Sequence, residues 1–178
     1  DERLSMQLTG EGLVHGIIAE ANASGHVRGT IDNPRIVGPL EVLPPPMGEH
    51  AILSVMRSTP LALMSQGAVP MFSDNIVDDV AVYLRSSEQI QSHLAVRIDV
   101  ASDGSIAFAR GIIAQAMPST DPDSFAEVGT LFEKPGHVEA ILDAALTPEA
   151  AIRALARQTG LVWNEVDRRN LSFHCTCT

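Results

Sequence analysis

Residues 94–115, LAVRIDVASDGSIAFARGIIAQ, decide the fold class of this chain. Apolar residues alternate with mixed ones over 94–100, a two-residue period that is typical of a β-strand. Asp103 and Gly104 follow, and this pair favours a tight reversal of the chain into a second strand over 106–115. The stretch therefore predicts an antiparallel hairpin.

The residues before this hairpin are mostly typical of short strands separated by turns that contain glycine or proline. A stretch with three consecutive prolines, 38–48, predicts an irregular loop, because proline lacks the amide hydrogen that a strand ladder needs. The predicted strands cover residues 5–8, 13–19, 26–31, 51–57 and 61–66.

One helix is predicted in this half, over residues 73–86. Ser73 or Asp74 can cap it, and its acidic residues are expected to form a solvated first turn near the positive end of the helix dipole. These acidic residues are Asp74, Asp78 and Asp79. The apolar face is expected to comprise Ile76, Val77, Val80, Tyr83 and Leu84.

The character of the chain changes after residue 118, where a short linker precedes three helical patterns at 123–132, 137–146 and 148–158. The last pattern is the best marked, with Thr147 as N-cap, proline at the first helical position and Gly160 beyond the end. The whole pattern predicts an α+β fold with layered, antiparallel-rich sheets and packed helices.

Composition excludes several classes of function. The chain has 178 residues, and its formal net charge of −10, without a cluster of lysine or arginine, excludes nucleic acid and anionic membranes as partners. No apolar stretch is long enough to span a bilayer. Only 4% of the residues are aromatic, so we expect an aliphatic core.

Two patterns resemble catalytic motifs only weakly. Gly10, Gly12 and Gly16 follow a short strand, but no helix opens after them to hold a phosphate, so they are interpreted as turn glycines. Ser86 and Ser87 lie near His93, but no nucleophile-elbow sequence surrounds either serine. We interpret this segment as a polar helix terminus and assign no catalytic residue.

The only two cysteines, Cys175 and Cys177, are separated by one residue at the end of the sequence. In an extended strand their side chains point to the same face, and His174 points to the other. Two thiols on one face predict half of a metal site or half of a thiol switch, since a structural zinc site needs four ligands. We therefore expect the sequence to be a piece of a longer chain.

Several stretches, in the same order along the chain, resemble the Hsp33 family, the redox-regulated 33 kDa chaperonins. They are QLTGEG at 7–12, GHVRG at 25–29, QGAVP at 66–70, YLRSSEQI at 83–90, GIIAQAMP at 111–118 and FHCTCT at 173–178. The last two are the most specific. The family's distal C-x-x-C pair and its N-terminal segment have no counterpart here, nor does the family account for the three prolines at 44–46.

The resemblance implies a chaperone that is not an enzyme: an ATP-independent holdase that binds unfolding client proteins under oxidative stress. It implies that Cys175 and Cys177 bind zinc when reduced and form a disulfide with each other when oxidised. The zinc is expected in the full-length reduced form rather than in this piece. The active form is expected to be a homodimer, and the client-binding residues are unassigned.

The implied domains are an α+β chaperone core at 1–118, a helical metastable linker at 119–172 and the start of a zinc and redox-switch domain at 173–178. The implied location is the cytoplasm, or an organelle if the protein is eukaryotic. Two other interpretations of the cysteine pair remain open: a vicinal-thiol oxidoreductase and a zinc-dependent protein-interaction module.

Overall fold

The computed structural model describes residues 2–35, 46–73 and 75–175. Contacts divide the chain into two compact units, one comprising residues 1–83 and 167–178 and the other residues 84–166. The predicted α+β class with antiparallel-rich sheets is confirmed. The division into a core at 1–118, a linker at 119–172 and the start of a further domain at 173–178 stays a prediction.

The first unit is built on a six-stranded sheet with the order β5-β4-β1-β2-β3-β8. All neighbouring strands are antiparallel except β3 and β8, which are parallel. The strands are β1 (Arg3–Thr9), β2 (Gly16–Asn22), β3 (His26–Ile31), β4 (Ile52–Ser58), β5 (Leu63–Pro70) and β8 (Ser172–Phe173).

The core of the first unit is mainly aliphatic, as the low aromatic content predicts. Strand β4 lies in the interior of the sheet, and Leu53 and Val55 on it are buried two residues apart, as a strand with one buried face requires. The turn between β2 and β3 occurs where it was predicted, with Gly25 at φ +82°. The predicted strand at 13–19 instead begins at Gly16, because residues 10–15 form a bend closed by a hydrogen bond from the Gly10 amide to the His15 carbonyl.

The helix α1 (Ile76–Ser86) differs from its prediction in two respects. Its cap is Asn75, whose side-chain oxygen accepts a hydrogen bond from the Val77 amide at 3.0 Å, whereas Asp74 lies outside the described residues. The prediction of a solvated acidic first turn is wrong for Asp79, which is 0% exposed. Its carboxylate accepts the Phe72 amide hydrogen at 3.0 Å and so connects the helix to the segment before it.

The second unit contains the predicted hairpin and the three predicted helices. The elements are β6 (Ser92–Val100), β7 (Ile106–Gln115), α2 (Pro122–Phe132), α3 (His137–Ala144) and α4 (Pro148–Thr159). The turn glycine Gly104 has φ +83°, and α4 has the predicted Thr147 cap and an αL residue, Gly160, at its end. These boundaries were predictable because each is set by a local backbone preference.

Alternate residues of the hairpin have different environments. Ala95 on β6 is buried in an aliphatic cluster with residues of the three helices: Leu131, Val138, Leu142, Ala145 and Ala151. Arg97 and Arg110 bind the end of α3, the first through an ion pair with Asp143 at 2.9 Å and the second through the carbonyl of Leu142. Exposed apolar side chains occupy the intervening positions of the hairpin: Val96, Ile98, Val100, Ile106 and Ile113.

Candidate functional site

Cys175 lies two residues beyond β8, at the edge of the six-stranded sheet. Two backbone hydrogen bonds attach this segment to the sheet: the Ser172 amide donates to the Gly25 carbonyl and the His174 amide to the Val27 carbonyl, each at 3.0 Å. The guanidinium of Arg169 also donates to the carbonyl of Ala23. The cysteine-bearing segment is therefore held mainly through its backbone.

Side chains of this segment alternate as the sequence predicts. Phe173 and Cys175 both line a shallow cavity of about 280 Å³, and residues of β2 and β3 complete its wall. His174 lies elsewhere, with its ring stacked on that of His26 at a centroid distance of 4.6 Å. Cys175 itself is exposed, so its sulfur is accessible to small oxidants.

The donor set of this chain fits half of a zinc site. Cys175 and Cys177 supply two sulfur ligands, and Cys177 lies outside the described residues. In the described part of the chain, no group of three or more histidine, cysteine, aspartate or glutamate side chains could hold a metal ion. A tetrahedral site built on these thiolates therefore requires two further ligands.

Sequence reasoning did not identify the residues that surround the cysteine segment. His26 stacks on His174, and Glu20 forms ion pairs with Arg28 and, at 4.0 Å, with Arg3. The glycine turn before His26 was visible, but the parallel pairing of β3 with β8 was not, because no local signal links segments so far apart in sequence. Long-range register is a tertiary property.

The glycine motif is explained by packing rather than by a ligand. Gly12 donates its amide hydrogen to the Met47 carbonyl at 3.0 Å. A Cβ atom at Gly12 would lie 2.3 Å from the Gly48 nitrogen, and one at Gly10 would lie 1.9 Å from the Met47 oxygen. The interpretation of these residues as turn glycines is supported, because two backbone segments approach each other where no side chain fits.

His93 occupies an aromatic environment. Its ring lies 5.0 Å from the Phe125 ring and 5.6 Å from the Phe132 ring, and a Cβ at Gly129 would be 2.8 Å from it. Burial lowers the pKa of the His93 imidazole below 6.5, while the nearby Glu133 carboxylate acts in the opposite direction. The ring thus packs β6 against α2.

The lowered pKa of His93 predicts an acid-sensitive second unit. The His93 imidazole binds a proton more readily in the unfolded chain than in the folded one. The free energy of unfolding is therefore highest above pH 6.5 and declines as the pH falls below that value. We expect His93→Gln to flatten the decline in Tm between pH 7.5 and 5.5, measured by thermal unfolding. His137→Gln, at a half-buried position on α3 of the same unit, is the matched control and should keep the decline in Tm. An unchanged profile in His93→Gln would contradict the assignment.

No helix in the described part of the chain combines the length and the apolar composition that a bilayer-spanning helix needs.

Comparisons with known proteins agree on one family. The family model described as Hsp33 protein matches residues 1–178. A 33 kDa chaperonin of Citrifermentans bemidjiense is 30% identical over 99% of this chain and 61% of its own length, and one of Bacillus subtilis is 30% identical over 100% and 62%. The chain thus spans about three-fifths of the length of these relatives.

A solved structure supports the same fold. The crystal structure of the 33 kDa chaperonin of Thermotoga maritima matches with a TM-score of 0.83 and 23% sequence identity, over 99% of this chain and 61% of that one. The fold, the order of motifs along the chain and the family match all agree. The chain belongs to the Hsp33 family.

Proposed function

We propose that this protein is a redox-regulated, ATP-independent holdase that binds unfolding proteins under oxidative stress and is not an enzyme. The observation that carries the proposal is the exposed apolar face of the β6–β7 hairpin. Its side chains Val96, Ile98 and Val100 recur at every second position of β6 and are 43–59% exposed. Ile106 and Ile113 continue the face on β7.

A surface of this kind suits a protein that binds many different clients. Burial of apolar area stabilises a complex without requiring a particular partner sequence. Contiguous exposed apolar surface on a protein marks an interaction site. An unfolding client exposes its own apolar side chains, so the two surfaces are complementary in chemistry.

The alanine-rich helices are proposed to regulate access to apolar surface, as the metastable linker at 119–172. Alanine favours helix but buries little area, and Ala145 and Ala151 occupy buried positions where they contact the hairpin's cluster. The helices also leave an open apolar groove of about 360 Å³, which is lined by residues of β7, α2 and α4 and by Trp163. Incomplete packing lowers the free energy needed to undock them.

The cysteines are proposed to control this undocking. Cys175 and Cys177 would bind zinc with two further ligands, and bound zinc holds cysteine as the thiolate that oxidants attack. Hydrogen peroxide then converts the two thiols to one disulfide: one sulfur is oxidised to a sulfenic acid with release of water, and the second displaces its oxygen as a second water. Loss of the metal removes its contribution to folding.

We further propose a cytoplasmic location and a homodimeric active form.

The experiment that tests this function uses the full-length protein. We expect about one zinc per chain in the reduced state, released by peroxide with heat as thiols disappear and as protection of an aggregating client rises. In the Cys175→Ser variant, client protection after peroxide divided by client protection before peroxide should fall to about one, because the disulfide cannot form. Ser172→Ala, in the same strand, is the control that should keep the ratio.

Two outcomes would contradict the proposal. A Cys175→Ser protein that responds to peroxide like the parent would exclude the cysteine switch. Catalytic disulfide exchange by the parent, with turnover and no client protection, would instead favour the vicinal-thiol oxidoreductase.

A further inference from the structure

The described residues occupy only part of the outer edge of β3. Strand β3 pairs with β2 along most of its length, but among the described residues β8 pairs with His26 and Val27 alone. In a strand, alternate residues direct their peptide groups to the same side. Since the Val27 carbonyl accepts a hydrogen bond from the amide of His174, the residue after β8, Gly29 and Ile31 present their peptide groups to the same edge.

The strand that occupies this edge is short and exposed. β8 has two residues, and Ser172, Phe173, His174 and Cys175 are all exposed, Phe173 by 72%. Its backbone hydrogen bonds to β3 are supplemented by the stacking of His174 on His26. Little buried area therefore opposes its removal.

A cavity beside the edge can take a client side chain. It has a volume of about 280 Å³ and is lined by Ile18, Glu20, Arg28, Gly29 and Thr30 of β2 and β3, together with Phe173 and Cys175 of the cysteine segment. The β2 and β3 residues form the wall that remains when β8 is displaced. Phe173 reaches the cavity from β8 while remaining largely exposed. An extended peptide on β3 can place an apolar side chain in the same position.

We propose that the outer edge of β3 is a strand-addition site, where an extended segment of an unfolding client protein displaces β8 and pairs with residues 27–31. Unpaired backbone on a sheet edge binds another strand through main-chain hydrogen bonds, which do not depend on the partner's sequence. Unfolding proteins supply such backbone. This inference rests on the proposed holdase function and assigns a surface to its clients.

The position of the cysteines connects this site to oxidation. Residues i and i+2 of an extended strand have Cα atoms about 6.6 to 6.8 Å apart, the upper end of the range that a disulfide spans. The proposed Cys175–Cys177 disulfide therefore favours a bent backbone directly after β8. Such a bend would begin next to His174, whose amide donates to the Val27 carbonyl.

The test is amide hydrogen exchange of the full-length protein after activation with peroxide and heat, with and without reduced and carboxymethylated lactalbumin as a permanently unfolded client. We expect exchange at Val27, Gly29 and Ile31 to slow at least tenfold when the client binds, and exchange at residues 172–174 to accelerate. Binding itself is measured separately, by fluorescence anisotropy of the labelled client.

The two readouts separate the failure of this site from the failure of the function. Client binding with unchanged exchange in β3, or with protection confined to β6 and β7, overturns the strand-addition site and leaves the holdase intact. Absence of client binding in every state overturns both proposals.

A variant tests displacement independently of exchange. His174→Ala removes the stacking that helps to hold β8 and, because β8 lies at the sheet edge, leaves the other strand pairs in place. We expect it to bind the client about three- to tenfold more tightly in the reduced state. His50→Ala, at an exposed histidine outside the proposed linker, should bind like the parent. Equal affinity of His174→Ala and the parent would exclude displacement of β8.

Discussion

Replacing Gly12 by alanine is expected to destabilise the first unit by about 3 kcal/mol or more, at the upper end of the range for overpacked sites. The added methyl group would lie 2.3 Å from the Gly48 nitrogen and 2.6 Å from the Pro46 oxygen. These are backbone atoms and cannot rotate away as a flexible side chain can. The bend must therefore separate from the 46–48 segment, with loss of the hydrogen bond from the Gly12 amide to Met47.

Gly111→Ala is the matched control for this change. A Cβ at Gly111 on β7 would meet its nearest neighbours at 3.6 Å, an ordinary contact distance, and the residue lies in a regular strand. We expect this variant to be as stable as the parent or slightly more stable, because alanine loses less backbone entropy than glycine on folding. Urea unfolding of both variants measures the difference, and equal stability of Gly12→Ala and the parent would contradict the close approach.

Leu142→Ala is expected to lower the stability of the second unit by about 2 to 5 kcal/mol. Leu142 on α3 is 3% exposed and belongs to the cluster that packs on β6, so its truncation leaves a cavity at the centre of the helix docking. If residues 119–172 form the metastable linker, the same variant should also bind unfolded clients without oxidation, because undocking becomes less costly. Thermal unfolding and client aggregation assays measure the two effects.

Leu146→Ala provides the control for the same chemical change. Leu146 lies four residues further along and is 91% exposed, so its truncation should alter stability by no more than about 0.5 kcal/mol and leave client binding dependent on oxidation. A Leu142→Ala protein that is destabilised yet remains inactive when reduced would contradict the role of helix docking in regulation. That result would not contradict the packing of Leu142 against β6.

The elements that local chemistry determines were predictable from the sequence. The hairpin turn at Gly104 and the Thr147 cap with its following proline each follow from the preference of one or two residues, and both occur where predicted. The alternation that separates Phe173 and Cys175 from His174 is equally local.

The features that were missed depend on tertiary contacts. In the sequence, Asp79 is one of several acidic residues of a first turn. In the structure it is buried, and its carboxylate accepts a hydrogen bond from the Phe72 amide. The neighbours of the cysteine segment, His26 among them, are brought there by a strand pairing that sequence periodicity does not encode. The candidate site was thus predictable in its sulfur ligands but not in its surroundings.

The pairing of β3 with β8 also has a kinetic consequence, because it joins residues 146 positions apart, the same separation as between Ala23 and Arg169. Contacts of such long range close a large loop and form late in folding. During synthesis, β8 leaves the ribosome after every other described strand and helix. The edge of β3 therefore lacks its β8 partner in the nascent chain while the rest of the described fold forms, and the cysteine segment is the last described part to reach its place.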